Sequence, residues 1–164
     1  MTKQFIATLC ILAVVGVGVG VGVEGAGEAG VGATVTVQNI SVSVTDGTVE
    51  YGTLAVDTSK STLASELNDL QTATNNGNVT ETLNIRGTDS SAWTLAGTAD
   101  ANQYVHEFSK DSGSNWTALT ISNQELATGV AESGTQDFDL QITTPTSSTD
   151  YTEQAVNVTV QVTM

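Results

Sequence analysis

The chain has 164 residues, room for one domain, with 4 Lys or Arg against 18 Asp or Glu and a net charge of −14. That balance argues against nucleic acid and anionic membrane surfaces as partners, because the phosphate attraction that drives such binding becomes repulsion. Charged residues are only 13% of the chain, so this is not a highly charged disordered protein. Ser, Thr, Asn and Gly dominate the polar positions instead, a composition common in extracellular β-proteins.

Met1-Thr2-Lys3-Gln4 is a short basic start, and an apolar run follows from Phe5 to Val23. This is the plan of a secretory signal helix, with Val31-Gly32-Ala33 as the small-residue cleavage site and Ala29 as a second one. The competing reading is an uncleaved membrane anchor, weakened by Gly16, Gly18, Gly20 and Gly22, each of which costs roughly 1 kcal/mol of helix propensity. Residues 1–33 are therefore read as leader and residues 34–164 as the domain. Cleavage leaves three basic and sixteen acidic residues and removes Cys10, the single cysteine. Without a thiol there is no disulfide framework, cysteine nucleophile or thiolate metal site.

From Thr34 to Val44 valine and isoleucine alternate with polar residues, the period of two expected of a half-buried strand. The phase changes between Val37 and Ile40, predicting a bulge or a strand that switches sheets. Asp46-Gly47 is a turn signal. Val49, Tyr51, Leu54 and Val56 predict a second strand, with Gly52 an irregularity. Asp57–Ser65 reads as a polar connection, although Leu63, Leu67 and Leu70 stand at the spacing of one helical turn. Asp69–Thr74 reads as a strand, Asn75-Asn76-Gly77-Asn78 as a turn, and Val79, Leu83 and Ile85 resume the alternation. Further strands are expected around Trp93 and Leu95, at Tyr104–Phe108, at Trp116–Ile121 and at Phe138–Ile142, with Pro145 placed in a connection. Gln154–Met164 closes the pattern with valine at every second position.

Eight or nine short strands with turn chemistry between them indicate an all-β domain, a single antiparallel β-sandwich of Ig-like or jelly-roll-like type. Trp93, Tyr104, Phe108, Trp116 and Phe138 are the expected core anchors, each aromatic able to bury on the order of 150–250 Å².

No catalytic motif emerges. His106, the single histidine, shares a strand face with Tyr104 and Phe108 and reads as a core-edge residue. One His and no thiol cannot supply an ordinary zinc set, so no metal or other cofactor is expected. Asp111-Ser112-Gly113-Ser114-Asn115 lacks the order and distal Glu of a calcium loop and reads as a turn. Asp137 and Asp139 read as a solvated strand face. Sequons stand at Asn39, Asn78, Asn115 and Asn157; those at Asn78 and Asn115, in turns, are the preferred glycan acceptors. Lys60 and Lys110 are the only domain lysines available for an isopeptide cross-link.

The segments Ala73-Thr74-Asn75-Asn76-Gly77-Asn78-Val79 and Trp116-Thr117-Ala118-Leu119, with the closing valine strand, resemble TasA/camelysin-type matrix-fibre proteins and related archaeal bundling pilins. The resemblance spans Thr34–Met164 in overall plan. It implies a fibre in which one subunit's N-terminal segment completes the next subunit's sheet, with Val35, Val37, Ile40, Val42 and Val44 as the inserting side chains. The metal-protease activity suggested for that family is not implied, because no zinc-ligand motif is present. The expectation is a secreted, non-enzymatic cell-surface protein that self-associates into fibres or binds other surface proteins, touching a membrane only through an uncleaved leader. The alternative is a monomeric adhesion or carbohydrate-binding module using aromatics such as Tyr151 or Trp116. A hydrolase would need an acid–base or nucleophile set that the residues do not offer.

Overall fold

The structure is a computed structural model that describes residues 29–164; the expected signal helix lies outside the described residues. The chain divides into a leading unit, residues 1–35, and a main unit, residues 36–164. In the leading unit, residues 29–35 have no regular secondary structure, and Val31 and Val35 are exposed.

The main unit is all-β. Its strands are β1 (Val42–Thr45), β2 (Ser59–Ser61), β3 (Gln71–Asn75), β4 (Glu81–Gly87), β5 (Thr94–Leu95), β6 (Gln103–Ser109), β7 (Thr117–Ala118), β8 (Gln124–Val130), β9 (Thr135–Thr143) and β10 (Val158–Thr163). They form two sheets. The larger, seven-stranded sheet runs β1-β3-β9-β6-β5, with β2 added to β9 and β7 to β6; the smaller runs β10-β4-β8. Ala73, Phe108, Phe138 and Leu140 from the larger sheet share one buried cluster with Leu83, Ile85 and Leu126 from the smaller, an arrangement consistent with a β-sandwich. Strict alternation makes this work. Buried and half-buried residues succeed one another along the whole of β3 and β4, so each strand turns one face inward, with Ala73, Leu83 and Ile85 in the core and Gln71, Asn75 and Glu81 as buried polar residues on the same faces.

The structure corrects several expected elements. The opening strand begins at Val42, not Thr34, and the closing strand at Val158, not Gln154. Val49–Val56 is not a strand. Val49, Tyr51 and Leu54 are half-buried as their alternation requires, but Gly52 takes a φ of 71° and turns the backbone away from any ladder. No bulge forms at Gln38–Asn39. The irregular register lies instead between β4 and β8, at Glu81/Leu83 and Leu83/Asn84. The β5–β6 pair is parallel, against the all-antiparallel expectation. Residues 63–68 form a turn closed on the Leu63 carbonyl, which accepts from the Glu66 and Asn68 amides at 2.9 Å, and not a helical turn. Two strands were not anticipated. β2 is a polar Ser-Lys-Ser piece, and β8 buries only Leu126 completely.

Of the five expected anchors, Tyr104, Phe108 and Phe138 are buried, whereas Trp93 and Trp116 are half-buried. The Trp93 indole N–H reaches a hydroxyl, Ser148 Oγ, at 2.9 Å, a polar demand that favours the rim over the core. Asp139 is a further correction. It is buried and accepts from Thr62 Oγ1 at 3.0 Å, while Asp137 is exposed and accepts from Thr72 Oγ1 at 2.7 Å. The Thr62 amide and hydroxyl also bond Leu140, so this turn seals the outer side of β9.

Leu83 is fully buried at the centre of the shared cluster. Leu83→Ala is expected to lower unfolding free energy by about 2–5 kcal/mol, read from the urea midpoint at unchanged slope. Trp116→Ala, at the half-buried rim, should cost clearly less.

Candidate functional site

A cleft of about 700 Å³ opens beside the shared core. Its floor is the inner face of β9, with Phe138, Leu140 and Ile142 in line, and Val158 and Val160 of β10 stand on one wall. The remaining walls are two irregular segments, Gly47–Val56 and Asp150–Asn157. The cleft exists because the sheets differ in extent: three strands do not cover the inner face of seven. β10 is an edge strand, paired only to β4 within its sheet. An apolar floor next to a free strand edge is what an added strand requires: main-chain partners on one side and side-chain pockets below.

His106 stands at this cleft, 1% exposed, where the structure sets it among core aromatics. Its Nε2 lies 3.0 Å from Tyr51 Oη, and the Tyr51 ring meets it edge-on with centroids 5.7 Å apart. Nδ1 is buried without a partner among the described residues. Burial pulls the His106 pKa from 6.5 down to about 4, because the imidazolium would lose its hydration there. Burial likewise pushes the Tyr51 and Tyr104 hydroxyls up, with Asp69 and Asp89 adding to it. Nε2 is engaged by the Tyr51 hydroxyl, and among the described residues no third group bonds Nδ1 in the way that orients an imidazole as a base. Among the described residues no three His, Cys, Asp or Glu side chains gather as a metal site.

The segment leading into β1 is held by a cluster of amides. Asn78 Oδ1 accepts from the Asn39 amide at 2.8 Å, Asn78 Nδ2 donates to the Val37 carbonyl at 2.9 Å, and the Asn78 amide donates to the Asn39 carbonyl at 3.1 Å. The side-chain amide thus takes the part that a peptide group would play in a ladder. Glu81, 1% exposed, accepts from the Ser41 amide at 3.0 Å. Glycine is required at Gly77, since any Cβ there would collide with the Glu81 carboxylate and the Asn39 carbonyl.

The structure separates the five candidate donor side chains. Val42 and Val44 pack against the core from β1, which pairs in the chain's own sheet with Val42 opposite Asn75 and Val44 opposite Ala73. This corrects their assignment to a free donor strand. Val35 and Val37 are 90% and 81% exposed, and Ile40 is 45% exposed. The two preferred sequons also differ. The Asn78 amide is engaged at both ends, whereas Asn115 lies exposed in the loop closed by Asp111, whose Oδ1 accepts from the Asn115 amide at 2.9 Å. The Asn115 side-chain amide, the Ser109 hydroxyl and then that backbone bond hold the Asp111 carboxyl down at about 2, so the loop is a hydrogen-bonded turn. The cleft itself was missed by sequence reasoning. Its one signal was the Val49–Val56 alternation interrupted by Gly52.

No protein-family model, curated protein or solved structure matches the chain.

The depressed His106 pKa has a definite sign. The unfolded chain binds the proton near 6.5 and the folded chain only near 4, so stability is fully present above pH 6.5 and falls as pH drops toward 4. Between pH 7 and 5 the loss should be about 2 kcal/mol. Urea unfolding across that range should show it, with a flatter profile for His106→Gln; identical slopes for the two proteins would contradict it.

Proposed function

We propose that the protein is a secreted, non-enzymatic structural subunit of the cell surface, pilin-like or matrix-fibre-like, that assembles by strand addition between copies. The observation that carries this reading is the apolar cleft beside the free edge of β10, present in a chain whose segment before β1 exposes Val35 and Val37. Because Val42 and Val44 belong to the subunit's own sheet, the exchanging arm is Thr34–Ile40, shorter than the alternation alone implies. The resemblance to matrix-fibre proteins and bundling pilins supports this reading, as does the signal-peptide pattern of residues 1–33. The finer fold type, Ig-like or jelly-roll-like, belongs to the same proposal.

Apolar burial favours exchange and must exceed the cost of association. Burying Val35 and Val37 in a neighbour's cleft is worth roughly 1.5–3 kcal/mol each at full burial, and Ile40, 45% exposed, about half as much. The Asn78 bonds that hold the arm at home are worth about 0.5–1.5 kcal/mol apiece and are replaced by ladder bonds along β10. Main-chain bonds would supply affinity, and the alternating side chains register. Opposing this is the charge, −13 per subunit after cleavage at Ala33. That repulsion falls with salt, since the Debye length shrinks from about 30 Å at 0.01 M to about 3 Å at 1 M.

A second reading, a monomeric adhesion or carbohydrate-binding module, draws on Tyr151, which is 82% exposed at the cleft. Light scattering and negative-stain microscopy on protein beginning at Thr34 separate the two. Strand addition predicts filaments that form faster as salt rises. Deleting Thr34–Ile40 should leave folded monomers that bind a synthetic copy of that segment. A stable monomer at every salt concentration would overturn the fibre reading and favour the module.

A further inference from the structure

Gly47–Val56 has a strand's side-chain pattern without a strand's attachment. Val49 packs against the shared core, and Tyr51 and Leu54 are half-buried. The backbone enters no sheet ladder among the described residues. Its hydrogen-bonded tethers run chiefly to side chains. The Gly47 amide donates to Gln71 Oε1 at 3.0 Å, Lys60 Nζ to the Tyr51 carbonyl at 3.1 Å and Thr144 Oγ1 to the Ala55 carbonyl at 2.7 Å, while Tyr51 Oη meets His106. Left-handed backbone marks its start, middle and exit, with φ of 84° at Gly47, 71° at Gly52 and 55° at Asp57. Glycine turns at two of these points let the chain change direction without a Cβ clash.

We infer that Gly47–Val56 is a self-occluding strap, lying in the free subunit where a second copy's Thr34–Ile40 arm lies in the assembly. This rests on the strand-addition reading and names its control. The strap offers the cleft the same kind of side chains as the arm, apolar residues spaced between polar ones. The strap borders the β9 floor, while the arm of the same subunit is tied to Asn78 and lines no part of the cleft. It covers that floor without pairing the β10 edge, so an incoming arm gains ladder bonds that the strap never makes. An uncovered apolar cleft beside a free strand edge invites indiscriminate association. A loosely tethered strap suppresses this and still yields to the correct partner. Gln71 and Thr144 hold its two ends and His106 its middle, all three being buried side chains that line the cleft, and Tyr51–His106 is the fastening made by a side chain of the strap itself.

The test uses Tyr51→Phe, which removes the hydroxyl and keeps the ring, in protein beginning at Thr34. Hydrogen exchange at the Gly47–Val56 amides is read in the monomer lacking Thr34–Ile40 and in filaments of the full segment. The inference expects about tenfold faster exchange of the strap in Tyr51→Phe monomers, with β4 and β9 amides unchanged. It also expects a shorter lag before Tyr51→Phe filaments appear, and strap amides less protected in filaments than in monomers. Filaments in which Gly47–Val56 stay protected, or equal lags for both proteins, would overturn the strap while leaving strand addition standing. Failure of both proteins to form filaments would overturn strand addition and the strap with it.

Discussion

Much of this architecture follows from a mismatch in area. A seven-stranded sheet turns one apolar face inward, and a three-stranded sheet is all that packs against it. An apolar sheet face must be covered, and where β10, β4 and β8 end, irregular chain takes over. Gly47–Val56 and Asp150–Asn157 do this work at the Ile142 end of β9. They cover less completely than strands, and the difference is the cleft. A fourth strand in the smaller sheet would remove both the cleft and the open edge of β10.

Covering a sheet with irregular chain creates a second demand. Backbone groups that enter no ladder still need partners once water is excluded. Buried polar side chains rising from the sheets supply them. Gln71 takes the Gly47 amide, and Asn75 donates to the Val79 and Val130 carbonyls while accepting from the Gly77 amide. Thr62 joins Asp139 to the Leu140 backbone. These residues occupy inward or covered positions that an apolar pattern would assign to valine or leucine. Their polarity marks where a loop, and not another strand, lies above.

The same economy governs the approach to β1. Asn78 and Glu81 hold Val37–Ser41 by hydrogen bonds alone, while the apolar side chains of that stretch stay largely in solvent. Hydrogen bonds to partly hydrated backbone are individually worth little and exchange readily. An arm held this way is positioned but not committed. β1 beyond it, paired to β3 and packed against the core through the half-buried Val42 and Val44, is committed. The boundary between loosely held and packed chain therefore falls near Ser41.

The all-β class, the strands β3, β4, β6 and β9 and the turn at Asn75–Asn78 could be read in the amino-acid order, because period-two alternation and turn chemistry are local properties. Tyr104, Phe108 and Phe138 could be read as buried for the same reason. Local pattern could not say which alternating segments would find a ladder partner. Thr34–Val44 and Val49–Val56 look alike in sequence, yet only Val42–Thr45 pairs, because β3 offers an edge to it and Gly52 turns the later segment aside. β2 and β8 escaped notice since their pairing with β9 and β4 owes more to those neighbours' edges than to their own apolar content. The cleft was invisible for a deeper reason. It is the difference in extent between two sheets assembled from distant parts of the chain, a quantity that no single segment carries.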